Sequence, residues 1–270
     1  MEDIIDESVE MQALPPDVFD RYMAEGWRLL GHSIVRHNFS VCRGKMCRTT
    51  PLRIRLDGLE FSKSQRRLLS RAADLNVRYG PIRITQTKSQ LFALHAALRF
   101  EERRPESITS FLNAQSHQQP VTGMEFYVTH RNGKPLACSF IHIGEKSVSG
   151  TYCFYDPNEK QRSFGTYTML LELAKAQELG KKYYYHGYVY DVPSQFDYKM
   201  NFNNLEALDW ASGEWRPASR IPVRRWSDLL QKKRRATQKH RPTPQTSLLR
   251  SRYCDQFSLK LDAPSNPLSQ

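Results

Sequence analysis

The sequence predicts an α/β protein: a mixed sheet flanked by helices, with a smaller N-terminal region and a basic, disordered C-terminal tail. Three observations carry that expectation. Segments with the hydrophobic periods of strands and of helices alternate between residues 61 and 210. A long amphipathic helix signal at 166–179 separates two aromatic-rich strand signals. The charge changes sign sharply at both ends of the chain.

The elements follow in order. Phe61 to Leu75 reads as an amphipathic helix with Ser62 as N-cap, and its Leu68, Leu69, Ala72 and Leu75 turn one way. Tyr79–Thr85 alternates Ile82 and Ile84 with polar residues, as a strand does. Ser89–Phe100 is helical by the spacing of Leu91, Phe92, His95 and Leu98, and Pro105 opens a shorter helix through Phe111 and Leu112. Glu125–His130, Pro135–Ile143 and Ser147–Tyr155 read as strands, joined by Asn132-Gly133 and by Gly144-Glu145-Lys146. Thr166–Leu179 is a helix with Met169, Leu170, Leu173, Ala174 and Leu179 inward and Gly180 as its stop. Lys182–Tyr190 is a strand, Phe196–Phe202 a short helix and Leu205–Trp210 a last strand. The resulting division is an acidic flexible segment at 1–16, an N-terminal region with a basic helix at 17–77, the sheet domain at 78–222 and the basic tail at 223–270.

Composition bounds the function. With 270 residues, 39% of them apolar, the chain can bury a sizeable core, which excludes collagen-like, wholly disordered and disulfide-scaffold classes. No apolar run reaches the ~18–20 residues of a membrane span, and the acidic start is unlike a signal peptide. A soluble, cytoplasmic protein with no membrane partner is therefore expected. Five cysteines make an odd count without a tight framework, which suits a reducing compartment. The formal charge is +12, yet residues 1–20 carry −7 and residues 220–252 carry +10, leaving +10 on residues 21–219. A basic body points to a polyanionic partner; a generally soluble basic protein stays open as the alternative.

The segment richest in chemistry runs from Tyr152 to Leu171 as strand, turn and helix start. Amides at a helix start favour an anionic or carbonyl ligand, and Gly165 lets it approach the backbone. The element order, β-α-α-β-β-β-α-β-α-β, is similar to that of the GNAT acyltransferase superfamily, a topology that does not by itself fix a chemistry. In an acyl-CoA enzyme of that topology the loop reads Gln/Arg-x-x-Gly-x-Gly/Ala around a pyrophosphate. Here Arg162-Ser163-Phe164-Gly165-Thr166-Tyr167 puts Tyr167 at the second small position, where a ring is expected to crowd a pyrophosphate.

The run Tyr155-Asp156-Pro157 through Arg162-Ser163-Phe164-Gly165-Thr166-Tyr167 resembles the Y-D-P…R-S-L-G-T-Y signature of the aminoacyl-tRNA–protein transferases, the arginyl and leucyl transferases of the N-degron pathway. Phe61-Ser62-Lys63-Ser64-Gln65-Arg66-Arg67 is similar to that family's F-x-x-S-x-S-Q-R-R helix. Lys181–Tyr188, followed by Tyr198, Lys199 and Phe202, is similar to its Y-x-x-G-Y…Y-K-x-x-F block. The three blocks are collinear between about Gly26 and Arg220. The chain lacks the early C-x-x-C pair of better-known members, and Cys42 and Cys47 stand where a second cysteine cluster would lie. Two thiols cannot complete a four-thiolate site, so no metal or iron–sulfur cofactor is expected and both cysteines read as unligated. The pattern resembles a cysteine-poor bacterial branch.

The resemblance implies aminolysis, in which the α-amine of an N-terminal Asp or Glu attacks the ester of a tRNA charged with Arg or Leu, with no cofactor. It points to Tyr188, Tyr198 and Asp156 for proton handling or orientation, and to the amides of Thr151–Tyr155 for the oxyanion. Arg162, Ser163, Gly165, Thr166 and Lys199 would bind substrate, the two cations facing the acidic acceptor. Lys63, Arg67 and Arg71 at i, i+4 and i+8, with Arg66 beside them, form a basic stripe suited to the tRNA backbone. Packing tyrosines and a merely solvated helix face are the alternatives residue by residue. Two other functions stay open, an acetyl-CoA-dependent N-acyltransferase and a non-catalytic tRNA-binding module.

Overall fold

The computed structural model describes residues 3–42, 44–99, 107–110, 112 and 121–218. In a small sheet, β1 (Asp6–Glu10) and β2 (Arg28–Leu30) flank β3 (Ser33–His37) in antiparallel order. The expected flexible segment at 1–16 is thus partly a strand. Its register sets Glu7 opposite Arg36, whose Nε donates to Glu7 Oε2 at 2.7 Å. α1 (Pro16–Ala24) follows, started by Pro16 and Asp17, with Phe19 and Met23 buried.

The large sheet has nine strands: β4 (Phe39–Cys42), β5 (Lys45–Arg55), β6 (Leu75–Pro81), β7 (Gly123–His130), β8 (Pro135–Ile143), β9 (Ser147–Tyr155), β10 (Tyr183–Tyr190), β11 (Leu205–Asp209) and β12 (Glu214–Pro217). Their order is β12-β11-β5-β10-β9-β8-β7-β6, with β4 also beside β5. β9 and β10 run parallel, joined by the crossover helix α4 (Phe164–Glu178), and the other pairs are antiparallel. α2 (Lys63–Ser70) and α3 (Gln86–Arg99) complete the helices. This is the mixed sheet flanked by helices that the segment order predicts.

Residues on both sides of the expected division at 77/78 build the large sheet. β5 lies between β10 and β11, where Leu52 and Ile54 are buried, and β6 spans the boundary itself. α2 is shorter than expected. A capping box starts it, with Ser62 Oγ accepting the Gln65 amide at 3.3 Å and Gln65 Oε1 accepting the Ser62 amide at 2.8 Å. It stops at Ser70, so β6 begins at Leu75 rather than Tyr79.

On α4, Met169, Leu170 and Leu173 are buried as expected, but Ala176 replaces Ala174 and Leu179, which face solvent. Gly180, at φ 64°, ends it. Leu170 and Leu173 share a core with Ile54, Phe126, Ile141 and Val148 of the sheet. Phe92 and Ala96 of α3 pack on Phe140 and Phe154. The expected helix from Pro105 falls largely outside the described residues, as does the tail at 223–270; Ile108–Ser110 form a 3-10 turn. Residues 196–202 contribute only the 3-10 turn Asp197–Met200. Cys42 and Cys47, expected to be unligated by metal, are joined in a disulfide, and the β4–β5 hairpin sets their Cα atoms 6.0 Å apart. Among the described residues no helix is long and apolar enough to cross a membrane.

Candidate active site

After Ser149 and Tyr185, β9 and β10 separate: β9 continues along β8 and β10 along β5. A bulge marks each departure, with Thr151 unpaired against β8 and His186 unpaired against β5. Burial follows the geometry. Ser147, Val148 and Ser149 are buried, whereas Gly150, Thr151, Tyr152 and Cys153 are half-exposed in the middle of the sheet. A central strand becomes accessible where its neighbour leaves, so a cleft opens here.

Arg28 reaches into this gap from β2 of the small sheet. Its Nη2 donates to the Gly150 carbonyl at 3.1 Å and lies 3.5 Å from that of Thr151. Its guanidinium carbon sits 5.8 Å from the centre of the Tyr188 ring. Gly187 makes room: its φ is 91°, and a β-carbon there would overlap the guanidinium. The arginine thus occupies carbonyls on the β9 edge that β10 has left.

The opposite wall is the start of α4 with the 197–200 turn. Gly165 abuts Tyr198, whose ring would lie 3.3 Å from a β-carbon at that position. The Tyr198 hydroxyl makes no hydrogen bond among the described residues, and burial raises its phenol above the usual range. Lys199 places its ammonium 4.9 Å from the Phe196 ring. Burial first and the Arg28 charge second hold its pKa well below that of an ordinary lysine, against the pull of Glu172. Glu172, on the inner face of α4, accepts a hydrogen bond from the Tyr184 hydroxyl, and burial pushes its carboxyl up to about 7. His186 Nε2 donates to the Lys199 carbonyl at 3.2 Å, and burial lowers its pKa to about 3, which keeps it a neutral structural ring.

Of the residues expected at the site, the structure brings together Tyr198, Lys199, Gly165 and Thr166. Ser163 adopts the left-handed conformation at φ 50° without a side-chain cap, and its carbonyl receives the Thr166 and Tyr167 amides at 2.9 Å. The Phe164 and Gly165 amides have no partner among the described residues, so α4 presents an anion-receptive start.

Three other expected residues are held by contacts of their own. The Tyr188 hydroxyl donates to the Gly26 carbonyl at 2.5 Å and its ring packs edge-on against His37 and Trp210. Asp156 holds its own turn: Oδ1 accepts the Asn158 backbone and side-chain amides at 3.0 Å and Oδ2 meets Lys134 at 2.8 Å. Burial would raise its carboxyl, but these hydrogen bonds and the Lys134 charge keep it below the usual carboxylate range, unsuited to proton exchange. Arg162 grips Asp74 in a fork at 3.1 and 2.7 Å and Glu159 at 3.0 Å, clamping the turn after α2 to the start of α4. The expected crowding by Tyr167 does not occur either, since its ring is buried with Val128, Leu136 and Phe164.

Lys63, Arg66, Arg67 and Arg71 are exposed on α2 and its C-cap, and Lys63, Arg67 and Arg71 make no ion pair among the described residues. α2 packs on α4, whose first turn forms one wall of the cleft. Arg28 and Glu172 were not anticipated. Glu172 left a usable signal, a single acid within the buried face of α4. Arg28 left none, because its contacts lie 122 positions away.

Residues 87–209 match the family model described as "Arginine-tRNA-protein transferase, C terminus". The chain is 29% identical over 209 residues to an aspartate/glutamate leucyltransferase of Alcanivorax borkumensis, covering 77% of this chain and 83% of that one. It is 30% identical over 165 residues to the enzyme of the same name from Xanthomonas oryzae, covering 59% and 66%. Among solved structures, "The structure of L-PGS from Bacillus licheniformis" aligns with a TM-score of 0.43 and 12% identity, over 70% of this chain and 55% of that one.

Proposed function

We propose that this chain, which belongs to the aminoacyl-tRNA–protein transferase family, transfers leucine from leucyl-tRNA to the α-amine of a protein or peptide beginning with Asp or Glu. The leucyl group and the acidic acceptor are those in the relatives' names, and the tRNA carrier is that in the family model's description. The observation that carries the reading is the half-exposed run Gly150–Cys153 in mid-sheet, walled by Arg28, Lys199 and the start of α4. Such an opening is polar and flanked by cations, as an activated ester and an acidic acceptor together require.

In this reading the uncharged α-amine attacks the ester carbonyl carbon, and the amides on the open edge of β9 stabilise the oxyanion. The carbon–oxygen bond to the ribose then breaks as the new amide forms. The amine nitrogen loses a proton and the ribose oxygen gains one, and Tyr198 is the cleft hydroxyl placed to serve that oxygen. Lys199 orients the acceptor, and the α2 stripe holds the tRNA backbone. The reaction needs no metal or cofactor, and charged tRNA places it in the cytoplasm.

An acyl-CoA donor is disfavoured by a specific contact. A pantetheine arm laid along β9 would hydrogen-bond the edge that Arg28 already occupies at Gly150 and Thr151. Parallel incubations with radiolabelled leucyl-tRNA and with acetyl-CoA, using a peptide beginning with Asp, test the choice. Label from the tRNA alone is expected; acetylation of the peptide without leucine transfer would contradict it.

A further inference from the structure

We infer that Lys199 is the general base of the reaction, its side-chain amine taking the proton that the acceptor's α-amine loses as the new amide forms. This rests on the transferase reading above and assigns the one proton transfer that Tyr198 does not serve.

Position comes first. His186, at the bulge where β10 leaves β9, holds the Lys199 carbonyl, and Tyr198 sets the same turn against Gly165 of α4. The Lys199 amine feels both the Arg28 guanidinium and the Glu172 carboxyl. Those two groups flank one residue. Arg28 Nη2 donates to the Gly150 carbonyl at 3.1 Å, and Glu172 Oε2 would lie 3.2 Å from a β-carbon on Gly150. The amine is thereby placed beside the half-exposed Gly150–Cys153 run, where the acceptor must lie to reach an ester.

Its surroundings favour the free amine. Lys199 Nζ makes no ion pair or hydrogen bond among the described residues, and the face it meets is the Phe196 ring at 4.9 Å. Burial and the Arg28 charge hold its pKa well below that of an ordinary lysine. Glu172 opposes them only in part, because its own carboxyl is pushed up to about 7 and accepts the Tyr184 hydroxyl. The other described groups near the opening are poor acceptors of a proton. Arg28 is always protonated, and Asp156 is held below the usual carboxylate range by its own turn and Lys134. Burial keeps Cys153 a thiol, pushed up to about 12, and makes His186, lowered to about 3, too weak a base.

The step balances. The acceptor nitrogen bonds to the ester carbon and passes its proton to Lys199 Nζ, and the ribose oxygen leaves with the proton of the Tyr198 hydroxyl. The Lys199 ammonium then returns its proton to the Tyr198 phenolate, and both residues are restored. While charged, Lys199 also faces the acidic side chain of the acceptor.

The test measures transfer of leucine to a peptide beginning with Asp. K199R keeps a cation that cannot accept a proton, so kcat should fall about 100-fold or more with little change in either KM. K199A should lose kcat likewise and recover part of it on addition of trimethylamine, a base that cannot itself be acylated. K199R turning over at the parental rate overturns the assignment. So does a K199A defect confined to the KM for the peptide, which decides the matter should K199R not fold. Absence of transfer by the unsubstituted chain would instead overturn the transferase reading and this inference with it.

Discussion

The guanidinium of Arg28 fills the space that a β-carbon on Gly187 would occupy, although one residue belongs to the small sheet and the other to the large one. Through this contact the N-terminal residues complete a cleft whose other walls come from β9 and α4. Gly187→Ala should therefore expel Arg28. With φ at 91° the variant also carries backbone strain, so a stability loss of about 1–3 kcal/mol is expected. Leucine transfer should fall further than that loss explains, measured at a temperature where the variant is fully folded.

Tyr198→Phe removes the cleft hydroxyl while leaving the ring against Gly165. A drop of about 100-fold in kcat with little change in either KM is expected if this hydroxyl serves the leaving oxygen as proposed. Tyr188→Phe is the contrasting case. It loses the bond to the Gly26 carbonyl and should cost about 1–3 kcal/mol of stability with kcat nearly intact.

The basic stripe predicts a salt effect. Changing Lys63, Arg67 and Arg71 together to Glu should weaken tRNA binding and flatten its dependence on salt concentration. Fluorescence titrations at several salt concentrations measure both. An unchanged slope would reduce the stripe to solvated surface.

Buried ionisable groups give stability a signed pH dependence. The Glu172 carboxyl is pushed from 4.5 to about 7 in the folded state, so between those values the folded chain holds a proton that the unfolded chain has released. Its contribution is present below the unfolded value and lost as pH rises through about 7. Buried His142, His186 and His37 act in the opposite sense: lowered from 6.5 to about 4, 3 and 4, they take up protons on unfolding and destabilise the fold as pH falls below 6.5. Glu172→Gln should thus show a melting temperature that gains on the parent as pH rises from about 5 to about 8. A difference between the two that does not change with pH would contradict this.

The outer architecture was legible where local pattern and burial agree. β8 and β9 begin and end where their hydrophobic runs do, and the Ser62 N-cap and the Gly180 stop are side-chain and backbone signals of the same local kind. β5 was hidden because it reads as a basic, threonine-rich run broken by Pro51. The proline is tolerated because β5 passes from β4, paired up to Arg48, to β11, paired from Leu52, so at Pro51 only the β10 side is a ladder. Half of the candidate site was visible as motif residues. Arg162 and Asp156 belong to those motifs too, yet they stabilise the turn that shapes the site, a distinction set by partners at Asp74 and Lys134 that sequence order does not reveal.

Mass spectrometry of a peptide beginning with Asp, after incubation with the protein and leucyl-tRNA, decides whether transfer occurs. The peptide should gain one leucyl residue, amide-linked to the α-amine, and the gain should vanish when that amine is blocked. A protein that binds the charged tRNA but returns the peptide unmodified would contradict the transferase reading.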